Sequence, residues 1–187
     1  MSAYRCLQPP EGKAAEFAAA VSAHVPELET ARLRLRAPRV ADCPLWTAIW
    51  QGAEAEGPAI SDEHGWEEFC VYTAGWLLHG HGLWSVERKS DAVLVGFVLL
   101  GLEWGDEEPE LGWAFAPEAR GQGFATEAAA AARDYAMALL GGAVSYIDTA
   151  NTASARVAER LGARIDGLID DDVQVFRHTA AQREARA

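Results

Sequence analysis

The chain has 187 residues, a size typical of one globular domain, and half of them are apolar while 24% are charged. This composition excludes a disordered chain, a collagen-like repeat and a coiled coil. Lys and Arg number 16 against 28 Asp and Glu, and the net charge of -12 argues against nucleic acid and anionic membrane surfaces as partners.

No apolar run reaches the length of a membrane-spanning helix, because the longest one, over residues 93–102, is interrupted by two glycines. The N-terminal stretch matches a secretory signal poorly, since it has one early cation and an Ala-rich segment broken by polar residues. We therefore expect a cytoplasmic protein. The sequence is also compatible with a homodimer.

The three cysteines are Cys6, Cys43 and Cys70, which are widely spaced and form no CxxC pair. They predict neither a disulfide framework nor a zinc site. His79 and His81 have no third ligand at a recognisable spacing, and we interpret them as surface or helix C-cap residues. No metal is expected.

Residues 1–29 are rich in Ala and Glu and contain three prolines, which predicts an N-terminal arm with one short helix. The alternation Arg-Leu-Arg-Leu-Arg then predicts a first strand over residues 31–37. Asp42 precedes an apolar set and predicts a helix with an acidic cap, which closes at Gly52.

A second amphipathic helix is predicted over residues 62–80, where apolar residues recur at steps of three and four. The remaining elements follow in chain order: strands over 83–88, 92–104 and 110–115, an Ala-rich helix over 123–140, a strand over 144–148, a helix over 151–161 and two strands within 164–176. Strands interleaved with helices, including antiparallel hairpins, predict a mixed α/β sheet with helices on both faces.

Residues 120–125, Arg-Gly-Gln-Gly-Phe-Ala, lie between a strand and the longest predicted helix, and we name them the glycine turn. Glycines allow close backbone approach to a ligand, and a helix N-terminus offers unpaired N–H groups and partial positive charge. A diphosphate is the ligand that fits these properties. The P-loop motif is absent, and Thr126 occupies the last glycine position of the dinucleotide-binding motif.

Several motifs occur in a characteristic order along the chain: Thr30-Ala-Arg-Leu-Arg-Leu-Arg36, Glu110-Leu-Gly-Trp-Ala-Phe-Ala-Pro117, Arg120-x-x-Gly123-x-Ala125 with Thr126-Glu127-Ala128, Asn151-x-x-Ser154, and Leu161-Gly162. With these motifs the sequence resembles the Gcn5-related N-acetyltransferase (GNAT) family, in particular the branch similar to ribosomal-protein N-terminal acetyltransferases. The resemblance covers about residues 29–178.

The resemblance implies a mixed, mostly antiparallel sheet of six to seven strands, splayed at the centre and covered by helices on both faces. It divides the chain into an arm over residues 1–29, an acetyltransferase domain over 30–178 and a tail over 179–187. It implies an N-acetyltransferase that moves an acetyl group from acetyl-CoA to a primary amine of a small molecule or a protein N-terminus.

The resemblance also assigns a cofactor site, in which the backbone of one splayed strand receives the pantetheine arm and the glycine turn receives the pyrophosphate. The implied cofactor-binding residues are Trp113, Ala114, Phe115, Arg120, Gly121, Gln122, Gly123, Phe124, Ala125, Thr126 and Asn151. Asn151 is equally explained as an ordinary helix N-cap.

Two catalytic residues follow from the resemblance. Glu110 matches the family's glutamate base, although a strand carboxylate that faces solvent or only holds the substrate is an equal alternative. Many family members carry a tyrosine as general acid where this chain has Ala158. Ser154 is the candidate to replace that tyrosine, with packing or helix capping as its alternative role.

The acceptor is expected to be a cation. The resemblance places Glu54, Glu56 and Asp170 to Asp172 at the acceptor end of the cleft, where a cationic amine would relieve repulsion between carboxylates. Two other functions stay open at this point: a catalytically degenerate acyl-CoA sensor of the same fold, and an interaction module that uses the Trp-rich helix over residues 62–80.

Overall fold

The computed structural model describes residues 4–52 and 60–179. Within these ranges the chain forms strands β1 (Leu28–Glu29), β2 (Leu33–Arg36), β3 (Leu83–Arg88), β4 (Val93–Gly101), β5 (Glu110–Phe115), β6 (Ala143–Asp148), β7 (Arg164–Ile169) and β8 (Val173–His178). The helices are α1 (Gly12–Ser22), α2 (Cys43–Gln51), α3 (Asp62–Leu78), α4 (Phe124–Leu140) and α5 (Thr152–Arg160).

All eight strands belong to one sheet with the order β1-β2-β3-β4-β5-β6-β8-β7. Every pair is antiparallel except β5 and β6. The mixed, mostly antiparallel architecture is confirmed, but the described part of the chain contributes eight strands to the sheet where six to seven were expected. The additional strand, β1, lies in the predicted arm, where two residues are enough to pair with β2 although they are too few to show a period in the sequence.

The strands β5 and β6 diverge almost from their start. Their parallel register holds at one position, Glu110 opposite Val144. One residue further on, the Ser145 hydroxyl donates a hydrogen bond to the Leu111 carbonyl at 2.5 Å, in place of a backbone hydrogen bond between the strands. This splay at the middle of the sheet opens the cleft described below.

Helices cover both faces of the sheet. On one face, α2 and α3 pack Trp46, Ile49 and Phe69 against strand residues such as Phe97 and Leu99. On the other face, α4 presents four buried alanines, whose small side chains allow the helix to lie close to the strands: Ala128, Ala129, Ala132 and Ala136.

Asp42 does not cap α2 with its side chain, contrary to the sequence-based expectation. Its carboxylate instead accepts two hydrogen bonds from Arg36, at 2.7 and 3.0 Å, and one from the Ser85 hydroxyl at 2.7 Å. Arg36 also donates to Glu87 at 2.6 Å, and the Arg36 side chain is only 5% exposed. Folding brings Arg36 next to Asp42 in the core, and the carboxylate therefore takes part in a buried ion pair instead of capping the helix.

Several element ends differ from the sequence-based expectation. The strand expected over residues 92–104 ends at Gly101, and α3 ends at Leu78. The final strand extends to His178. Among the described residues, no helix is long and apolar enough to cross a membrane.

Candidate active site

Two adjoining cavities of about 480 and 410 Å³ lie at the splay between β5 and β6. We name them the turn cavity, which the glycine turn borders, and the acidic cavity, which Glu110 borders. Five residues form the wall common to both: Trp50, Trp113, Ala114, Asn151 and Ser154. The two cavities therefore adjoin along this wall.

The turn cavity is lined by all but one of the residues that the resemblance assigned to cofactor binding: Trp113, Ala114, Phe115, Arg120, Gly121, Gly123, Phe124, Ala125, Thr126 and Asn151. Gln122 is the exception. Its side-chain amide donates to the Glu118 carbonyl at 2.7 Å, and its own carbonyl accepts from Arg32 at 3.0 Å.

The glycine turn requires its glycines for conformational reasons. Gly121 and Gly123 have φ angles of +73° and +78°, in the left-handed region that other residues rarely adopt. Gly123 is the N-cap of α4, so the first backbone N–H groups of this helix have no partner within the helix. Phe124, Ala125 and Thr126 form this first turn and line the cavity.

On β5, the groups that face the splay belong to alternate residues. The carbonyls of Leu111 and Phe115 accept hydrogen bonds from Ser145 and Arg120, which lie on the side of the splay. Along a strand, the N–H and C=O groups of successive residues point to opposite sides. Trp113 therefore also presents its N–H and C=O to the splay, whereas the N–H and C=O of Ala114 point toward β4.

The turn cavity carries positive charge that the sequence interpretation largely missed. Arg156 and Arg160 of α5 line it together with Arg120, and none of the described lining residues is an Asp or Glu. Arg156 and Arg160 are one helical turn apart on the helix that begins after Asn151. This i,i+4 spacing, visible in the sequence, could have predicted that both arginines lie on the same helix face.

Asn151 and Ser154 are joined by a hydrogen bond. The Asn151 side-chain oxygen accepts from the Ser154 backbone N–H at 2.8 Å and caps α5. The helix-cap role of Asn151 is therefore present, and the same residue faces both cavities. Ala158, at the position of the family's tyrosine, is fully buried against Ile147 and Phe176.

The acidic cavity has the opposite charge. Glu68, Glu103 and Glu110 line it, and none of its described lining residues is Lys, Arg or His. Aromatic rings form much of the remaining wall: Trp46, Trp50, Tyr72, Trp113 and Tyr146. The sequence interpretation identified Glu110 but missed Glu68 and Glu103, which reach the cavity from α3 and from the β4–β5 connection.

Glu110 is half-buried at the foot of the splay. Burial, followed by the nearby charges of Glu103 and Asp106, raises the pKa of Glu110 to about 8, although a hydrogen bond from the Tyr146 backbone opposes the rise. Burial also raises the pKa of Glu68 above its ordinary value, with a further contribution from Glu103.

Tyr72 is hydrogen-bonded to one of these carboxylates. Its hydroxyl donates a hydrogen bond to Glu103, and burial together with this bond raises the pKa of Tyr72 well above its ordinary value. Tyr72 therefore stays protonated and neutral at physiological pH. Glu68 and Tyr72 are four positions apart on α3, which places both on the helix face that borders the cavity.

Of the acidic residues that the sequence analysis placed at the acceptor end, the three that the structure describes are not in these walls. Asp170, Asp171 and Asp172 form the turn between β7 and β8 and line neither cavity. Glu54 and Glu56 lie outside the described residues. Within the described part of the chain, no group of three or more His, Cys, Asp or Glu is arranged to hold a metal ion.

Comparison with known proteins gives one family. The family described as acetyltransferase (GNAT) domain matches residues 32–164. An acetyltransferase from Agrobacterium tumefaciens is 32% identical, with a TM-score of 0.78, over 83% of this chain and 95% of that one.

Two solved structures from Vibrio cholerae share the fold at lower identity. One, described as a ribosomal-protein-serine acetyltransferase, is 20% identical with a TM-score of 0.64, over 82% of this chain and 97% of that one. The other, a spermidine N-acetyltransferase, is 20% identical with a TM-score of 0.63, over 80% and 94%.

Proposed function

The chain belongs to the GNAT acetyltransferase family, as its motifs indicated, and we propose that it transfers the acetyl group of acetyl-CoA to a cationic primary amine. Acetyl transfer is the activity of the family. The identity of both substrates is our inference, and it rests on one observation, the opposite charge of two adjoining cavities.

Acetyl-CoA carries a diphosphate, a further phosphate and a neutral, amide-rich pantetheine arm that ends in the thioester. The turn cavity offers a helix N-terminus and three arginines to the phosphates. An ammonium group fits the acidic cavity, where it relieves the repulsion between Glu68, Glu103 and Glu110 and faces aromatic rings. The two substrates would meet at the common wall.

For the pantetheine arm, the splay supplies unpaired main-chain groups. We assign Trp113 and Phe115 to it, because their N–H groups face the splay, and we regard Ala114 as a wall residue. The Phe115 N–H is our candidate to stabilise the oxyanion that develops on the thioester carbonyl.

The reaction requires a neutral amine. Glu110 accepts a proton from the ammonium, directly or through water, and the amine lone pair attacks the thioester carbonyl carbon. As the tetrahedral intermediate breaks its C–S bond, its nitrogen gives up the second proton and the thiolate takes one, so that a neutral amide and the CoA thiol are formed. Ser154 at the common wall is the candidate to pass a proton to the thiolate while it takes one from the nitrogen. Free Glu110 is mostly protonated at neutral pH, and a bound cation lowers its pKa, so that substrate binding itself favours the basic form.

The decisive experiment follows CoA release with a thiol reagent, using three acceptors that differ only in the remote group. These acceptors are 1,4-diaminobutane, 4-amino-1-butanol and 4-aminobutanoate, which carry a remote positive, neutral or negative group. We expect kcat/KM to fall in that order and the preference for the diamine to weaken as ionic strength rises. A preference for the aminobutanoate would contradict the assignment of the acidic cavity.

Variants locate the effect. Glu103→Gln and Glu68→Gln should reduce the preference for the diamine over the amino alcohol, whereas Asp172→Asn, which alters neither cavity wall, is the matched control. If acetyl-CoA binds in calorimetry but no amine releases CoA, the alternative of an acyl-CoA sensor replaces the enzyme.

A further inference from the structure

We propose that Arg32 is a positioning residue for the glycine turn: it holds the Gln122 carbonyl on the outer side, so that the next N–H, that of Gly123, is directed into the turn cavity. The inference rests on the proposed function, because the diphosphate of acetyl-CoA is the group that this N–H would meet. Arg32 itself lies outside the cavity wall.

The orientation follows from the planarity of the peptide bond. Arg32 Nη1 donates to the Gln122 carbonyl oxygen at 3.0 Å. The peptide between Gln122 and Gly123 is trans, so its N–H points opposite to its C=O and away from Arg32. Gly123 lines the turn cavity, and among the described residues no acceptor receives its N–H.

Arg32 is itself held in place by α4. Its Nε and its backbone N–H donate to the Glu127 carboxylate at 2.6 and 2.8 Å, and its guanidinium carbon lies 4.6 Å from the centroid of the Phe124 ring. Thr30 adds a hydrogen bond to Glu127 at 2.5 Å. Burial opposes ionisation of Glu127, but these bonds hold its pKa below the ordinary value, so the carboxylate stays charged.

Without the hydrogen bond from Arg32, the peptide between Gln122 and Gly123 can rotate. A peptide flip needs rotation on the two sides of the plane, and Gly123 tolerates it because it has no side chain. The flipped peptide would turn the Gln122 carbonyl oxygen toward the diphosphate, replacing a hydrogen-bond donor with a partial negative charge. Since Glu127 neutralises Arg32, the effect depends on this orientation and not on long-range attraction between Arg32 and the phosphates.

The test compares Arg32→Met with Arg34→Met. Arg34 lies two residues after Arg32 in the sequence and pairs with Glu27. The two arginines are similarly exposed, since 48% of the Arg32 side chain and 42% of the Arg34 side chain are accessible. Loss of one hydrogen bond to a charged group predicts an affinity for acetyl-CoA that is about 10-fold lower in Arg32→Met, measured by calorimetry. Arg34→Met should bind as the wild type does.

A kinetic comparison separates positioning from general damage. S-acetylpantetheine lacks the diphosphate, so its kcat/KM should be unchanged in Arg32→Met while kcat/KM for acetyl-CoA falls about 10-fold. The KM of the amine should also stay constant. If Arg32→Met does not fold, Glu127→Gln, which loosens Arg32, provides the same comparison with a smaller loss.

Equal acetyl-CoA affinity in the wild type and Arg32→Met overturns the inference, and so does an equal loss with acetyl-CoA and acetylpantetheine. Equal losses in Arg32→Met and Arg34→Met also overturn it, because they indicate damage to the strand. If the wild type itself does not bind acetyl-CoA, the proposed function fails, and this inference with it.

Discussion

Glu110 and Val144 face each other at the one register position that β5 and β6 share, and beyond this pair the two strands diverge. Glu110 therefore stands where the sheet changes from a continuous surface to a cleft. The same divergence that exposes main-chain groups of β5 leaves the Glu110 carboxylate half-buried in the wall of the acidic cavity. The position of the proposed base and the opening proposed for the cofactor have one structural origin.

Replacement of Glu110, the proposed base, should affect turnover and not cofactor binding. Glu110→Gln is expected to lower kcat by a factor of about 10² to 10⁴ while the affinity for acetyl-CoA stays unchanged, because Glu110 lines only the acidic cavity. In the wild type, the acid limb of kcat/KM should lie near pH 8 and that of kcat at lower pH. An unchanged acid limb in the variant would show that another group is the base.

The same substitution should stabilise the protein at alkaline pH. The pKa of Glu110 is higher in the folded chain, about 8, than its ordinary value of 4.5, so the folded state binds more protons between these two pH values. The free energy of unfolding therefore falls as pH rises through this window, and Glu110→Gln removes the loss. We expect the unfolding temperature of the variant to exceed that of the wild type by several degrees at pH 8 and to match it at pH 4.5.

Gly123 should be needed for cofactor binding, and Gly141 should not, although both have a positive φ at opposite ends of α4. Because φ is positive at both positions, either substitution strains its own backbone. In Gly123→Ala the strained residue belongs to the glycine turn and its Cβ would lie 3.4 Å from Arg32 Nη2, whereas at Gly141 the Cβ would meet nothing within 4 Å. Each substitution should cost about 1 kcal/mol of stability. Calorimetry should show weakened acetyl-CoA binding in Gly123→Ala alone, and equal binding in both variants would contradict the glycine turn as the phosphate site.

The buried Arg36 should matter far more for stability than the exposed Arg34. Arg36→Met leaves the carboxylates of Asp42 and Glu87 without their cation in the core and should lower the free energy of unfolding by about 3–5 kcal/mol. Arg34→Met removes an exposed pair with Glu27 and should cost at most about 1 kcal/mol. Chemical denaturation measures both, and similar losses would mean that the buried network is not a main source of stability.

Local features were predictable from the sequence, because neighbouring residues produce them. The left-handed glycines at 121 and 123 precede a run of strong helix formers, so the glycine turn and the start of α4 could be located without the fold. Asn151 likewise caps α5 through a bond to a residue three positions away. The motif order then indicated the family and the splayed sheet.

Tertiary structure decided which charged residues lie together in the cleft. Glu68 and Glu110 lie on different elements far apart in sequence, and they line one cavity because α3 packs across the sheet near β5. Arg32 reaches Gln122 across 90 positions of the chain, and Asp42 finds Arg36 in the core instead of capping the helix that follows it. A residue's hydrogen-bonding capacity and charge are local properties that the sequence determines, whereas its partner depends on strand order and helix packing, which arise only when the whole sheet forms.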